Sequence, residues 1–307
     1  MVQVKLKAGR PRNTLIFCLF LLPVVFAFCM VIVIPFFMGI YYSFTNWNAI
    51  TGTEVNWVGL QNYAAIAGDL TFVNALLVTT AYAVMNILLV NIVAFSLALL
   101  VTSNLKFTNF YRSAFFLPNL IGGIVLGYIW QFIFNNAFPT FGKLTGLTWF
   151  YNNLFLANRY LALLAIVVVS TWQYAGYIMM IYVAGIQSIP DSLTEAAEID
   201  GSNYRQRLKS IILPLVAPSF TVSLFLTLVN SFKQFDVNYA LTGGGPSGMF
   251  MGQAIQTNEF LALNIYNTAF AFRRLAQGQA KAVMFFVALT IISLIQVYYN
   301  KRKELEM

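Results

Sequence analysis

Seven polar side chains stand in stretches that are otherwise almost wholly apolar: Asn119, Ser170, Gln173, Tyr174, Tyr177, Asn230 and Gln234. Amides, phenols and hydroxyls both donate and accept hydrogen bonds. Together they suit a ligand covered in hydroxyl groups, and the aromatic faces suit its C–H surface. Gln173 and Tyr177 are four residues apart, as are Asn230 and Gln234, so each pair shares one helical face. Such groups facing lipid would be left unsatisfied. Both pairs are therefore expected to face one shared wet cavity; the plainer alternative for each residue is a hydrogen bond between helices. Lys233 and Asp236 lie beside the second pair, and the lysine is expected to snorkel or to pair with the aspartate.

Other chemistries are missing. The chain has no His, which removes His-based metal sites and His-dependent triads. It has no G-x-x-x-x-G-K-[ST] loop for nucleotide, no H-E-x-x-H and no C-x-x-C. Its one Gly-rich run, Thr242 to Pro246, reads as a turn rather than a phosphate cradle. No paired carboxylates fall within the apolar stretches, as a proton-coupled carrier or an intramembrane protease would need. Cys18 and Cys29 share one apolar stretch and read as buried small hydrophobes. No catalytic residue, metal or cofactor is expected.

A second constellation lies between two apolar stretches, from Ile189-Pro190-Asp191-Ser192 through Glu195-Ala196-Ala197 to Asp200-Gly201, then on to Leu213-Pro214. Asp191 or Ser192 is placed to cap a short helix, with Glu195 completing a capping box. Ala196 and Ala197 allow close approach by another chain. Gly201 is placed to end the helix in the left-handed conformation. A short helix held between two long apolar helices can dock into a groove of a soluble partner and act as a lever.

The elements that carry these residues follow from composition. Of 307 residues, 59% are hydrophobic and 9% charged, with a mean hydropathy of +0.73. A soluble domain carries about 25% charged residues. A soluble enzyme, a disordered protein and a nucleic-acid-binding domain are excluded, and the net charge of +8 is better explained by the basic loops of a membrane protein. About 20 apolar residues cross a bilayer. The uncharged intervals predict six spans, over 14–43, 72–101, 113–135, 160–187, 216–235 and 277–300, the first too long for a signal peptide. Twelve basic residues fall on one side: Lys5, Lys7, Arg10, Arg12, Lys106, Arg112, Arg205, Arg207, Lys209, Lys301, Arg302 and Lys303. Five fall on the other. The positive-inside rule makes the first side cytoplasmic. It holds segments 1–13 and 301–307 (both termini) and the loop 188–214. The loops 44–70 and 236–276 then lie outside, and Trp47, Trp57, Trp149 and Tyr151 suit an interfacial belt. The expected class is an all-α polytopic membrane protein.

The lever loop carries a resemblance. Glu195-Ala196-Ala197, three residues, Gly201, nine residues, then Ile211-x-Leu213-Pro214 resembles the EAA motif of permease subunits in binding-protein-dependent ABC importers. The run from Phe235 through Thr242 to Pro246 is similar to the segment after span five in the carbohydrate-uptake branch, close to the maltose-type "F" subunit. So are Asn56 to Tyr63 and Phe107 to Pro118. The chain lacks that subunit's large outer domain and additional N-terminal spans. The resemblance covers about 15 to 300. It implies the six-helix type I importer (MetI-like) fold, and ATPase coupling through Glu195, Ala196, Ala197, Asp200, Gly201, Leu213 and Pro214. It implies as partners a second EAA-type permease, two ATP-binding subunits and an extracytoplasmic solute-binding protein, in the bacterial cytoplasmic membrane, with ATP hydrolysed by the partners. A sugar is the implied substrate. The alternatives are a permease for a polyamine, a metal or an anion such as glycerol-3-phosphate and, outside transport by ABC importers, a membrane enzyme or channel.

Overall fold

The computed structural model describes residues 11–48, 54–103 and 106–301, with side chains from 16 onward. Lys5, Lys7, Arg10, Arg302 and Lys303, and most of segments 1–13 and 301–307, lie outside the described residues. The helices are α1 (Pro11–Phe28), α2 (Ile34–Ser43), α3 (Gln61–Ala67), α4 (Leu70–Val101), α5 (Thr108–Phe116), α6 (Gly123–Phe132), α7 (Phe138–Thr145), α8 (Thr148–Asn152), α9 (Arg159–Gln187), α10 (Asp191–Ile199), α11 (Tyr204–Arg207), α12 (Leu213–Leu215), α13 (Ala217–Phe232), α14 (Asp236–Thr242), α15 (Leu261–Tyr266) and α16 (Leu275–Lys301). One antiparallel hairpin, β1 (Ser247–Phe250) with β2 (Gln253–Gln256), pairs Ser247 with Gln256 and Phe250 with Gln253.

Four helical stretches are long and apolar enough to cross a membrane unaided: Ile16–Ser43, α4, α9 and α16. Two bent pairs bring the number to six if each is one span: Thr108–Leu120 with Gly123–Thr145, at 93°, and Tyr204–Leu215 with Ala217–Phe232, at 67°. The single straight helix expected over 113–135 is therefore replaced by a break. Pro118 sits in a tight turn over Leu117–Leu120, and Ile121 and Gly122 are extended. The helix expected over 216–235 ends at Phe232, and Lys233 to Phe235 leave the helical path. The segment 236–276, read as a loop, contains α14, the hairpin and α15.

The prolines act in a regular way. Wide π-type turns occupy Cys29–Val33, Ile133–Ala137 and Leu208–Ile212, each ending two residues before Pro35, Pro139 or Pro214. Proline has no N–H and its ring pushes away the carbonyl four residues earlier. That carbonyl, of residue 31, 135 or 210, lies inside the wide turn each time, so the helix continues by widening rather than stopping.

α4 and α9 form the central pair, with α13 antiparallel across both. Asp69 caps α4, accepting from the N–H of Thr71 (2.9 Å) and Phe72 (3.3 Å). Asn158 caps α9 in the same manner through Tyr160 and Leu161. One face of α4 (Val90, Ala94, Ala98, Val101) packs on Ala175, Ile178, Met179, Tyr182 and Val183 of α9 and on Val216. Small residues bring backbones together, as in other membrane bundles. A Cβ at Gly176 would lie 1.9 Å from the Phe115 carbonyl oxygen, and one at Gly127 would lie 2.6 Å from Ala240 Cβ. A second core, around Tyr82, Leu126, Ile166, Val237 and Phe260, joins α4, α6, α9 and α14.

Large apolar side chains such as Phe20, Val31, Leu77, Ile92, Phe132 and Leu294 point outward, as lipid requires. None of the most apolar eighteen residues of Ile16–Ser43 is buried, and α2 rests on α16. The expectation of two buried cysteines is corrected here. Cys18 is exposed and Cys29 half-buried, because the helix that carries them buries so little against the rest of the chain.

Candidate functional site: a polar cavity and a lever

A cavity of about 170 Å³ opens where α5 breaks from α6 and α13 from α14. Asn119, Ser170, Gln173, Tyr174, Asn230 and Gln234 line it, joined by Asn86, Gly123 and Asp236. The breaks create its chemistry. With Ile121 extended, its carbonyl has left the helix ladder and accepts from Gln173 Nε2 at 2.9 Å. Gln234, in the unwound link after α13, donates to Ser170 Oγ (2.9 Å) and to Tyr82 OH (3.5 Å). Several polar groups therefore serve both readings of the sequence, bonding helix to helix while lining the cavity.

Tyr177 stands apart. Its ring lies 5.3 Å from that of Tyr174 and packs against the α4–α9 core, one turn below the cavity. Lys233 and Asp236 do not pair. Asp236 lines the cavity, with its Cβ tight against Gly123, whereas Lys233 lines an apolar groove between α13 and α16. The turn between them sends the two side chains to different faces. The ion pairs among the described residues are Arg207–Glu198 and Lys281–Asp69. Asn86 gives the same signal as the seven residues first singled out, an amide in an apolar run, and was open to the same reading.

The segment expected to act as a lever is α10 with the turn after it. Asp191 and Ser192 do not cap it: Pro190 is the N-cap residue, no side chain caps, and Thr194 Oγ1 turns back to the Asp191 carbonyl (2.8 Å). Proline at that position fixes the entry, and Asp191 becomes the first helical residue. The far end closes with Gly201 at φ +80°. The Ser202 N–H reaches the Ala197 carbonyl (2.9 Å) and the Gly201 N–H that of Glu198 (3.0 Å), the Schellman arrangement. Asn203 and Gln206 then cap α11 reciprocally, at 3.0 and 2.8 Å. Arg207 pairs with Glu198, tying α11 back to α10. Glu195, Ala196 and Asp200 are exposed, as are the apolar side chains of Leu193 and Ile199, the last at 87%. Leu213 is also exposed, and Pro214 is half-buried. The segment is thus braced from within and presents an exposed face of mixed polar and apolar side chains.

A buried tie at the opposite end of the bundle was not foreseen. Lys281, nearly two turns into α16, is 3% exposed. Its ammonium reaches Asp69 Oδ2, Asn264 Oδ1 and Thr268 Oγ1, each at 2.8 Å. Glu259 accepts from Asn264 (2.9 Å) and Asn267 (2.5 Å). Burial pushes the Asp69 carboxyl upward, but hydrogen bonds from Lys281 and Thr71 outweigh it and leave its pKa below the ordinary 3.8. Only three-dimensional contacts reveal the partners of Lys281. Among the described residues no group of three or more His, Cys, Asp or Glu could hold a metal ion.

Comparison with known proteins places this arrangement. A family model described as "Binding-protein-dependent transport system inner membrane component" matches residues 90–305. The chain is 44% identical over 301 residues to the "Probable starch degradation products transport system permease protein AmyD" of Thermoanaerobacterium thermosulfurigenes, covering 98% of this chain and 99% of that one. It is 32% identical to the "Multiple sugar-binding transport system permease protein MsmF" of Streptococcus mutans, covering 88% and 90%. Its fold matches a chain in the crystal structure of "a bacterial ABC transporter involved in the import of the acidic polysaccharide alginate", with TM-score 0.78 and 19% identity over 95% and 96%.

Proposed function

We propose, given that this chain belongs to the binding-protein-dependent transport system inner membrane component family, that it forms half of the membrane pathway of a sugar importer, with an uncharged oligosaccharide as substrate. The observation that carries the reading is the cavity where the helices break. Its wall offers Asn119, Asn230, Gln173, Gln234, Ser170 and Tyr174, a set of groups that both donate and accept, as sugar hydroxyls require. The two permease relatives named above are a probable starch degradation products permease and a multiple sugar-binding transport permease, which supports a sugar. Among the described residues no cation lines the cavity and Asp236 does, which disfavours a phosphate-bearing solute such as glycerol-3-phosphate.

A second EAA-type permease subunit completes the pathway from the other side. Two ATP-binding subunits receive the α10 levers, one from each permease, and an extracytoplasmic binding protein delivers the sugar. Closure of the ATPases on ATP moves the levers, and the cavity passes from one face of the membrane to the other. Each state is favoured by the ligand that binds it more tightly, ATP in one case and loaded binding protein in the other. The chain itself carries out no covalent chemistry.

The test is reconstitution of all the subunits in proteoliposomes with the loaded binding protein. ATP hydrolysis and uptake are expected with maltooligosaccharides and not with glycerol-3-phosphate or polyamines, and the isolated chain is expected to bind no nucleotide. Hydrolysis stimulated by an anion or polyamine but by no sugar would reject the substrate class.

A further inference from the structure

The cavity is the upper end of a longer polar seam. Asn86, on the cavity wall, donates to Ser231 Oγ (2.8 Å) and accepts from Thr171 Oγ1 (3.4 Å). Ser231 Oγ donates to the Thr227 carbonyl (2.6 Å). Thr227 Oγ1 accepts from Asn91 Nδ2 (3.1 Å), whose Oδ1 accepts from Tyr182 OH (2.6 Å). Ser223 Oγ donates to the same phenol at 2.6 Å. Every one of these side chains is more than nine-tenths buried. The seam therefore joins α4, α9 and α13, running from Thr171 to Tyr182 on α9 and from Ser231 back to Ser223 on α13, about three and two helical turns. Its lower end lies two turns from Val216, the wholly buried pivot of the 67° bend that leads into the lever loop. There Gly185 of α9 and Ser219 of α13 are in such close contact that a Cβ on the glycine would meet Ser219 Oγ at 2.1 Å.

Leu, Ala and Val would hold these helices together equally well. What they would not do is forbid sliding, since apolar contacts re-form in a neighbouring register. Hydrogen bonds are directional. Moving α13 along α4 or α9 would break several of them at once, and in an apolar bundle each broken group has no water to turn to.

We propose that Asn91, Tyr182 and Thr227 are positioning residues that lock α4, α9 and α13 into one rigid body, so that displacement of the α10 lever reaches the cavity wall without slippage. This rests on the transport reading given above. The seam is a mechanical link between the two ends of the site, and Asn91, Tyr182 and Thr227 line neither the cavity nor the exposed face of α10.

The test compares Thr227→Val, which keeps shape and loses the hydroxyl, with Thr227→Ser, which keeps the hydroxyl, and adds Tyr182→Phe. The complete importer is reconstituted, and radiolabelled maltooligosaccharide imported per ATP hydrolysed is measured beside assembly yield. Thr227→Ser is expected to keep the wild-type ratio. Thr227→Val and Tyr182→Phe are expected to lower it at least threefold while ATPase stimulation by loaded binding protein stays within twofold of wild type. An unchanged ratio in both variants overturns the proposal, whether or not yield and ATPase fall, because the seam then serves folding alone. If the wild-type importer takes a different solute, the substrate reading fails, and the ratio for that solute still decides the seam.

Discussion

Two glycines show how differently one residue type can matter. At Gly201 a Cβ would meet nothing within 4 Å, but φ is +80°. Left-handed geometry costs a side-chain-bearing residue about 1–2 kcal/mol, and Asn tolerates it best. Gly201→Val is therefore expected to leave insertion and assembly intact while sharply reducing uptake per ATP, and Gly201→Asn to stay near wild type. Equal uptake by the valine variant would remove the turn from the coupling mechanism. At Gly176 the difficulty is collision with the Phe115 carbonyl, so Gly176→Ala is expected to fail earlier, in the yield of folded protein. Within the cavity, Gln173→Ala and Asn230→Ala each remove a polar group facing the pathway, worth about 0.5–1.5 kcal/mol if it bonds sugar. That predicts a several-fold loss of uptake, and Tyr177→Phe, one turn below, is expected to behave as wild type. Uptake at matched expression separates these outcomes. The polar cavity residues were legible in the sequence because an amide or hydroxyl is rare in an apolar run. Tyr177 shares that signal, and helical spacing alone did not tell the cavity wall from the turn beneath it.

At the scale of elements, apolar length marks the long helices well, since nothing but bilayer thickness is being read. The breaks are harder. Pro35, Pro139 and Pro214 sit in or beside widened turns that let the helix continue, while Pro118 with Gly122 and Gly123 gives a 93° bend. One proline looks like another in sequence; what differs is whether extended residues follow. The tie at the start of α16 is illegible for a related reason, since Asp69 and Lys281 are 212 positions apart and meet only when α4 and α16 pack. Loss of one partner from a buried pair costs about 3–5 kcal/mol, and Asp69 keeps some solvent, so Lys281→Met is expected near the lower figure. The thermal midpoint of the purified assembly would report it. Because the Asp69 pKa is depressed, the pair contributes fully above the ordinary carboxylate value of 3.8 and fades as pH falls through the lowered one. Asp69→Asn is accordingly expected to be less stable than wild type at neutral pH and equal to it in strong acid.

At the scale of the whole molecule, the first long helix stands out. No residue of its most apolar stretch is fully buried within the chain, and Cys18 lies exposed on the same helix. A subunit made without its companions would carry this helix as an unclaimed surface, the kind of mark by which proteases that patrol the membrane recognise an orphan. Abundance of the chain should therefore rise with co-expression of its partner permease. The thiol of Cys18 also offers a built-in reporter of that event. A lipid-soluble maleimide is expected to label it readily in the solitary subunit and, if the companion covers this helix, slowly once the two have joined, so that the history of assembly can be read from a single native sulfur.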